Sequence, residues 1–182
     1  MKTKLIIALA AIVMLLTSCR KEDGPSKNQL IYNGEKHELI SWGSLINIEG
    51  SQYYFSGQTE TTEEDPHPEF GFWCYIFENS VNTTYDLTQG PISGNDGYHI
   101  SFEINPDQHL YFSLENRQGT IYGSIYDTEN NYTFEKDASC FKSGTMTVNV
   151  DEVALSCVLS GVLMNDDTIE VNIYIPKEEL TK

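Results

Sequence analysis

The chain has 182 residues, and its 27 acidic and 11 basic residues give a formal net charge of −16. A surface of this charge repels a phosphate backbone, so we exclude nucleic acid as a partner. Residues 29–182 are enough for one domain with its own hydrophobic core.

Residues 1–18 have the pattern of a bacterial lipoprotein signal peptide. Lys2 and Lys4 precede Leu5–Leu16, an unbroken apolar run of 12 residues. A helix needs roughly 20 apolar residues to cross a membrane, so this run is typical of a segment removed during export. Leu16–Cys19 has the leucine, two small residues and cysteine of a lipobox. We therefore predict that Cys19 carries acyl chains, such as palmitate, that anchor the mature chain in the bilayer.

The polar residues 19–28 show no apolar periodicity, and we expect them to form a flexible tether. The domain then opens with a hairpin signal. Leu30–Tyr32 and His37–Ile40 flank Asn33 and Gly34, a pair that favours the left-handed backbone of a two-residue turn.

The segment 60–69 holds five carboxylates and one histidine, and oxygen-rich clusters of this kind suit Ca²⁺. The candidate ligands are Glu63, Glu64, Asp65 and His67. Their spacing matches no calcium-binding loop, and a solvated loop of like charges explains the segment equally simply. We favour the solvated loop and expect no cofactor.

The next segment, Phe70–Phe77, is apolar at both odd and even positions from Phe72 onward. A strand that is apolar on both faces is expected to be central in its sheet and covered on both sides. Apolar residues then alternate with polar or aromatic ones through residues 98–126. If Ile100, Phe112 and Ile125 face the core, a set of aromatic side chains lies on the opposite face.

Those side chains could bind a glycan, because a planar ring packs on a sugar face and its polar edge meets the hydroxyls. Tyrosine is also simply a good strand former at half-exposed positions. The predicted ligand-binding residues are Tyr54, His99, Tyr111, Tyr122 and Tyr126.

Three alternating segments end the chain: residues 145–150, 153–160 and 168–175. They predict an antiparallel meander in which Val153 belongs to an apolar row and residues 165–167 form the last turn. No segment has a helical period. About ten to twelve short strands favour an all-β fold, an antiparallel β-sandwich, with a lipocalin-like β-barrel as the alternative.

Three cysteines remain once Cys19 is acylated. Cys140 and Cys157 could form a disulfide across neighbouring strands. Alternatively Cys74, Cys140 and Cys157 are all small buried apolar residues, and we favour this interpretation slightly.

Three segments resemble small Bacteroidetes lipoproteins of unknown function. Residues 21–23, directly after the lipobox, are similar to the charged tag that sends such proteins to the outer face of the outer membrane. Residues 31–36 are similar to an opening Asn-Gly hairpin, and residues 143–148 to a closing meander. The resemblance implies an all-β, outer-membrane lipoprotein exposed at the cell surface, and it carries no catalytic residue.

The sequence holds no nucleophile elbow, HExxH motif or phosphate-binding glycine loop. We therefore expect a non-enzymatic binding or adhesion module whose partner is a glycan or a surface protein. A structural or accessory subunit of a surface assembly or transport complex is the alternative. An extracellular hydrolase ranks lower and would require two facing carboxylates in a cleft.

Overall fold

A computed structural model describes residues 28–47, 51–61, 68–89, 97–104, 110–117 and 120–181. These residues form two antiparallel sheets, one of six strands and one of seven, that pack together without closing. The predicted β-sandwich is therefore confirmed, and the barrel alternative is wrong. The predicted signal peptide, the Cys19 anchor and nearly all of the tether lie outside the described residues.

Thirteen strands are present in the described part of the chain, slightly more than the sequence predicts. They are β1 (Gln29–Tyr32), β2 (Glu35–Glu38), β3 (Ile40–Asn47), β4 (Ser51–Gln58), β5 (Phe70–Phe77), β6 (Thr83–Asp86), β7 (Tyr98–Ile104), β8 (Leu110–Arg117), β9 (Thr120–Asp127), β10 (Tyr132–Lys136), β11 (Phe141–Val150), β12 (Ala154–Leu163) and β13 (Thr168–Pro176). Within the same ranges, the only helical segments are two single 3₁₀ turns, Glu78–Ser80 and Lys177–Glu179.

The six-stranded sheet has the order β2-β1-β13-β12-β11-β6, and the seven-stranded sheet has the order β10-β9-β8-β7-β5-β4-β3. After β5 the chain leaves the seven-stranded sheet, and β6 pairs with β11 in the six-stranded sheet. As a result β5 and β7 become direct neighbours. This crossover determines which side chains meet on the seven-stranded sheet.

Local turn chemistry agrees with the predicted connections. Asn33 and Gly34 have φ values of 48° and 85°, as a two-residue hairpin with left-handed central residues requires. The C-terminal meander β11-β12-β13 is present as predicted. Val153 is a correction, because its side chain is 64% exposed and β12 begins one residue later. The Asp151 carboxylate accepts the backbone N–H groups of Val153 and Ala154 and holds Val153 in the turn.

The core lies between the two sheets and is filled by alternate residues of nearly every strand. Four phenylalanines of the seven-stranded sheet are fully buried in it: Phe55, Phe72, Phe102 and Phe112. The residues that alternate with them therefore point away from the core, to the outer side of this sheet.

One edge of the seven-stranded sheet is partly covered by the chain end. After β13, Thr181 pairs with Ser44 on the free side of β3, and Leu45 donates its backbone N–H to the Thr181 carbonyl oxygen at 3.0 Å. Nothing helical in the described ranges has the length and apolar character needed to cross a bilayer.

Candidate ligand-binding face

We call the side of the seven-stranded sheet that points away from the core the outer face. The register places Tyr54 opposite Tyr75 and Tyr75 opposite His99. It continues from His99 to Glu115 on β8 and from Glu115 to Tyr122 on β9. These residues therefore form one row across five strands, at right angles to the chain direction.

All five aromatic residues predicted to share a face do lie on this outer face. Tyr54 and His99 belong to the row just described, together with Tyr122. Tyr111 pairs with Tyr126 on the neighbouring strand, four residues along from the row. Tyr126 is 39% exposed and the other four are half-buried, so none of them is enclosed by a second layer of described residues.

The expectation that β5 is covered on both sides is wrong for the outer face. The strand is internal in its sheet, between β4 and β7, as predicted. Tyr75 is nevertheless 40% exposed and Trp73 is half-buried. The outward side chains of β5 are sheltered by their neighbours on adjacent strands, and they remain open to solvent from above.

Four of the outward rings make a continuous series that we call the aromatic ladder: Trp42, Tyr54, Tyr75 and His99. The ring centroids of Trp42 and Tyr54 are 4.9 Å apart, and the two planes meet at 70°. The centroids of Tyr54 and Tyr75 are 4.3 Å apart at 33°, and those of Tyr75 and His99 are 6.3 Å apart at 22°. The rings of Tyr54, Tyr75 and His99 are thus tilted by only 22° to 33° between neighbours. The Trp42 indole instead meets the Tyr54 ring edge to face.

The ladder stabilises the sheet. Each close aromatic pair contributes about 0.5–1.5 kcal/mol beyond its buried area. Burial, followed by the neighbouring Tyr75 phenol, raises the pKa of Tyr54 to about 12. A hydrogen bond between the Tyr54 and Tyr75 hydroxyls contributes to this shift, so the two phenols are paired within the ladder.

A shallow pocket of about 20 Å³, room for about one water molecule or one hydroxyl group, lies at the His99 end of the ladder. Its walls include Tyr75, Phe77 and His99, and its polar groups include the Gln52 amide and the Glu115 carboxylate. An amide and a carboxylate beside aromatic rings can hydrogen-bond the hydroxyls of a ligand that packs against those rings. The ladder therefore ends at a polar pocket on one side and at the Trp42 indole on the other.

The remaining predicted tyrosines form a second group around Glu135, on the edge strand β10. The Tyr122 and Tyr126 hydroxyls both donate hydrogen bonds to the Glu135 carboxylate, from Tyr126 at 2.8 Å. These bonds lower the pKa of Glu135, and the carboxylate in turn raises the pKa of Tyr122 to about 12. The Tyr122 and Tyr126 hydroxyls are therefore paired with Glu135, and this group lies apart from the ladder on β9 and β10.

Both tryptophans of the chain lie on the outer face. Trp42 and Trp73 pair with Ser56 from opposite sides, and Ser56 is only 1% exposed between them. The Trp73 indole lies over Gly71, where any Cβ would overlap it. Tryptophan fluorescence is therefore a direct probe of this face.

Sequence reasoning missed Trp42 and Tyr75 as members of the face. Tyr75 alternates with buried positions on its strand, so the period-two pattern contained the signal for it. Its strand is one that the sequence predicts to be covered on both sides. Trp42 lies on an edge strand whose alternation is interrupted by Gly43 and Ser44.

The other predicted sites are placed as follows. Glu63, Glu64, Asp65 and His67 lie outside the described residues, and within the described ranges no three acidic, histidine or cysteine side chains cluster as metal ligands would. Cys74, Cys140 and Cys157 are free and buried. Burial raises the pKa of the Cys140 and Cys157 thiols to about 12 each, which makes both weak nucleophiles.

Comparisons with protein-family models, with curated proteins and with solved structures found no match.

Proposed function

We propose that this protein is a cell-surface lipoprotein that binds glycans through the outer face of its seven-stranded sheet. Soluble proteins rarely expose contiguous apolar patches unless the patch meets a partner. Trp42 and Tyr75 of the ladder are 47% and 40% exposed, and the ladder is continuous with polar groups that suit hydroxyl-rich ligands. Both halves of a sugar-binding surface are thus present in one place.

The observation that carries the proposal is the continuity of the ladder with the pocket. Trp42 presents a 47% exposed indole at one end, and Gln52, His99 and Glu115 line the pocket at the other. Packing of the rings on one another does not require polar side chains at the end of the ladder. A sugar uses rings and polar side chains together, because its faces pack on rings and its hydroxyls form hydrogen bonds.

Tryptophan emission of the full chain tests this proposal. We expect saturable quenching or a spectral shift when a panel of polysaccharides is added. Trp42→Ala should weaken binding roughly tenfold, the effect of losing one aromatic contact of about 1.4 kcal/mol, while Trp73 still reports. Val158→Ala is the matched control, because Val158 is 54% exposed on the outer side of the six-stranded sheet.

Silence of both tryptophans across the panel would contradict glycan binding. Recovery of one stoichiometric membrane partner with the full chain, weakened by Trp42→Ala, would instead support the alternative of an accessory subunit. In that case the same face would serve as a protein interface.

The address is a separate part of the proposal and rests on the lipobox, Leu16–Cys19. We expect labelled palmitate to enter the full chain and the protein to fractionate with the outer membrane. Cys19→Ser should abolish both, since the acyl chains attach to that sulfur. Release by protease added to intact cells distinguishes the outward face from the inward one.

A further inference from the structure

We infer that the ligand is an uncharged, linear glycan that lies along the aromatic ladder, from Trp42 to the pocket at His99. This inference rests on the proposed function and adds the ligand's charge, shape and direction. Three independent features of the outer face support it.

The first feature is direction. The ladder crosses β3, β4, β5 and β7 with one aromatic residue on each strand. Neighbouring strands are ~4.8 Å apart, so the ladder spans roughly 14 Å. The repeat of a linear hexopyranose chain is close to the strand spacing. An extended chain can therefore keep one sugar over each strand, whereas a branched one would lose this match.

The second feature is charge. The charged residues that the register places on the outer face are the carboxylates of Glu103, Glu115 and Glu135 and one basic residue, Arg117, at the end of β8. Glu115 lies in the pocket itself. The whole chain, including these residues, has a formal net charge of −16. Three carboxylates against one arginine disfavour uronic acids and sulfated sugars, while a neutral sugar can donate a hydroxyl to the Glu115 carboxylate in the pocket.

The third feature is the difference between the two ends. Gln52, His99 and Glu115 provide polar groups at the pocket end, and Trp42 provides a ring face at the other. A short oligosaccharide gains most from the pocket, where both kinds of contact are available. A longer chain also reaches Trp42, so its additional affinity must depend on that indole.

Calorimetric titration of the full chain with neutral and acidic oligosaccharides of increasing length tests this arrangement. Xylan, mannan and glucan fragments supply the neutral series, and polygalacturonate fragments the acidic one. We expect affinity for one neutral series to rise from disaccharide to tetrasaccharide and then to level. Acidic fragments should bind at least tenfold more weakly, and added salt should leave neutral binding unchanged.

Two variants test the direction. Trp42→Ala should reduce the affinity for the tetrasaccharide to that for the disaccharide and leave the disaccharide unaffected. Gln52→Ala should weaken both ligands by a similar factor. Val158→Ala is the control, and the remaining tryptophan emission together with thermal unfolding shows that each variant is folded.

Failure of the linear, uncharged ligand and failure of glycan binding itself give different results. Affinity independent of length, tighter binding of the acidic series, or equal loss of both ligands in Trp42→Ala would overturn the inference while glycan binding stands. Absence of heat and of fluorescence change with every fragment would overturn the proposed function as well.

Discussion

Glu135 shows how single residues set the chemistry of the outer face. Its carboxylate accepts hydrogen bonds from the hydroxyls of Tyr122 and Tyr126. The carboxylate carries the negative charge, and the two phenols are neutral donors to it. The hydrogen bond to Glu135 is the largest cause of the raised pKa of Tyr122, and the same bond is the largest cause of the lowered pKa of Glu135. The three side chains thus hold one another in fixed protonation states across the physiological range.

Replacing that carboxylate should change the titration of the tyrosines. In Glu135→Gln we expect the pKa of Tyr122 to fall from about 12 towards its ordinary value of 10.0, because the nearby negative charge is lost. Tyrosinate absorbance measured against pH reports the change. Glu129→Gln, an exposed substitution in the adjacent turn, should leave the titration as it is. A Tyr122 pKa that stays near 12 in Glu135→Gln would contradict the hydrogen bond.

The same pair has a consequence at low pH. A pKa below the ordinary value of 4.5 means that the folded state holds the Glu135 proton less tightly than the unfolded chain does. Its contribution to stability is therefore present above the ordinary pKa and is lost as the pH falls through the lowered one. Glu135→Gln should lack this part of the acid dependence in thermal unfolding measured across the acid range.

Two glycines in the seven-stranded sheet should respond differently to the same substitution. A Cβ at Gly71 meets the end of the Trp73 indole, a side chain that can swing outward. A Cβ at Gly123 meets the backbone of Ala138, Ser139 and Cys140, where the chain crosses between the sheets. Backbone cannot yield as a side chain does, so the costs differ.

We expect Gly123→Ala to lower the free energy of unfolding by about 1–3 kcal/mol, as an overpacked site does. Gly71→Ala should lower it by less and shift tryptophan emission to longer wavelength as Trp73 becomes more exposed. Denaturant unfolding monitored by fluorescence measures both quantities. Equal losses with unchanged emission would show that Trp73 does not lie over Gly71.

At the scale of elements, the β1–β2 hairpin is tied to the β12–β13 turn. Asn33 donates a side-chain hydrogen bond to the Asp167 carboxylate at 2.8 Å, and its side-chain oxygen accepts the Thr168 backbone N–H at 2.9 Å. The Tyr32 hydroxyl donates to the same carboxylate at 2.7 Å. One residue thus supplies both the left-handed turn conformation and the contact to the second turn.

Two substitutions at Asn33 separate these roles. Asn33→Gly keeps the positive φ and loses the hydrogen bonds, and we expect it to cost about 1 kcal/mol. Asn33→Ala loses both and should cost about 2–3 kcal/mol, because a left-handed alanine adds about 1–2 kcal/mol. Chemical denaturation of the two variants measures the difference. Equal costs would mean that the turn does not require its left-handed backbone.

Sequence alone predicted which face each outward residue occupies but not which residues meet there. Alternation with period two is local, so Tyr54, His99 and Tyr122 could each be assigned opposite the core. Tyr75 and His99 become neighbours only because β6 crosses to the other sheet, and nothing in the four residues of β6 indicates that crossover. Register across distant strands is a tertiary property, and so is the ladder.

The whole molecule is held by one core to which both sheets contribute, and the three described cysteines are buried in it. Cys74 lies on β5 of the seven-stranded sheet and Cys157 on β12 of the six-stranded sheet. Cys140 lies in the connection between the sheets, and its thiol donates a hydrogen bond to the Ser113 carbonyl oxygen at 3.3 Å. All three have a relative exposure of 0%.

Thiol labelling of the full-length Cys19→Ser chain should therefore report opening of the sandwich as a unit. We expect no labelling in native buffer, because burial both blocks access and raises the pKa of Cys140 and Cys157 to about 12. Rising denaturant should expose all three together, and the unfolded, unreduced chain should take up three labels. Earlier labelling of Cys140 alone would show that the inter-sheet connection opens independently of the core. A single label in the unfolded chain would instead demonstrate a disulfide, and the identity of the labelled peptide would show which two cysteines had paired.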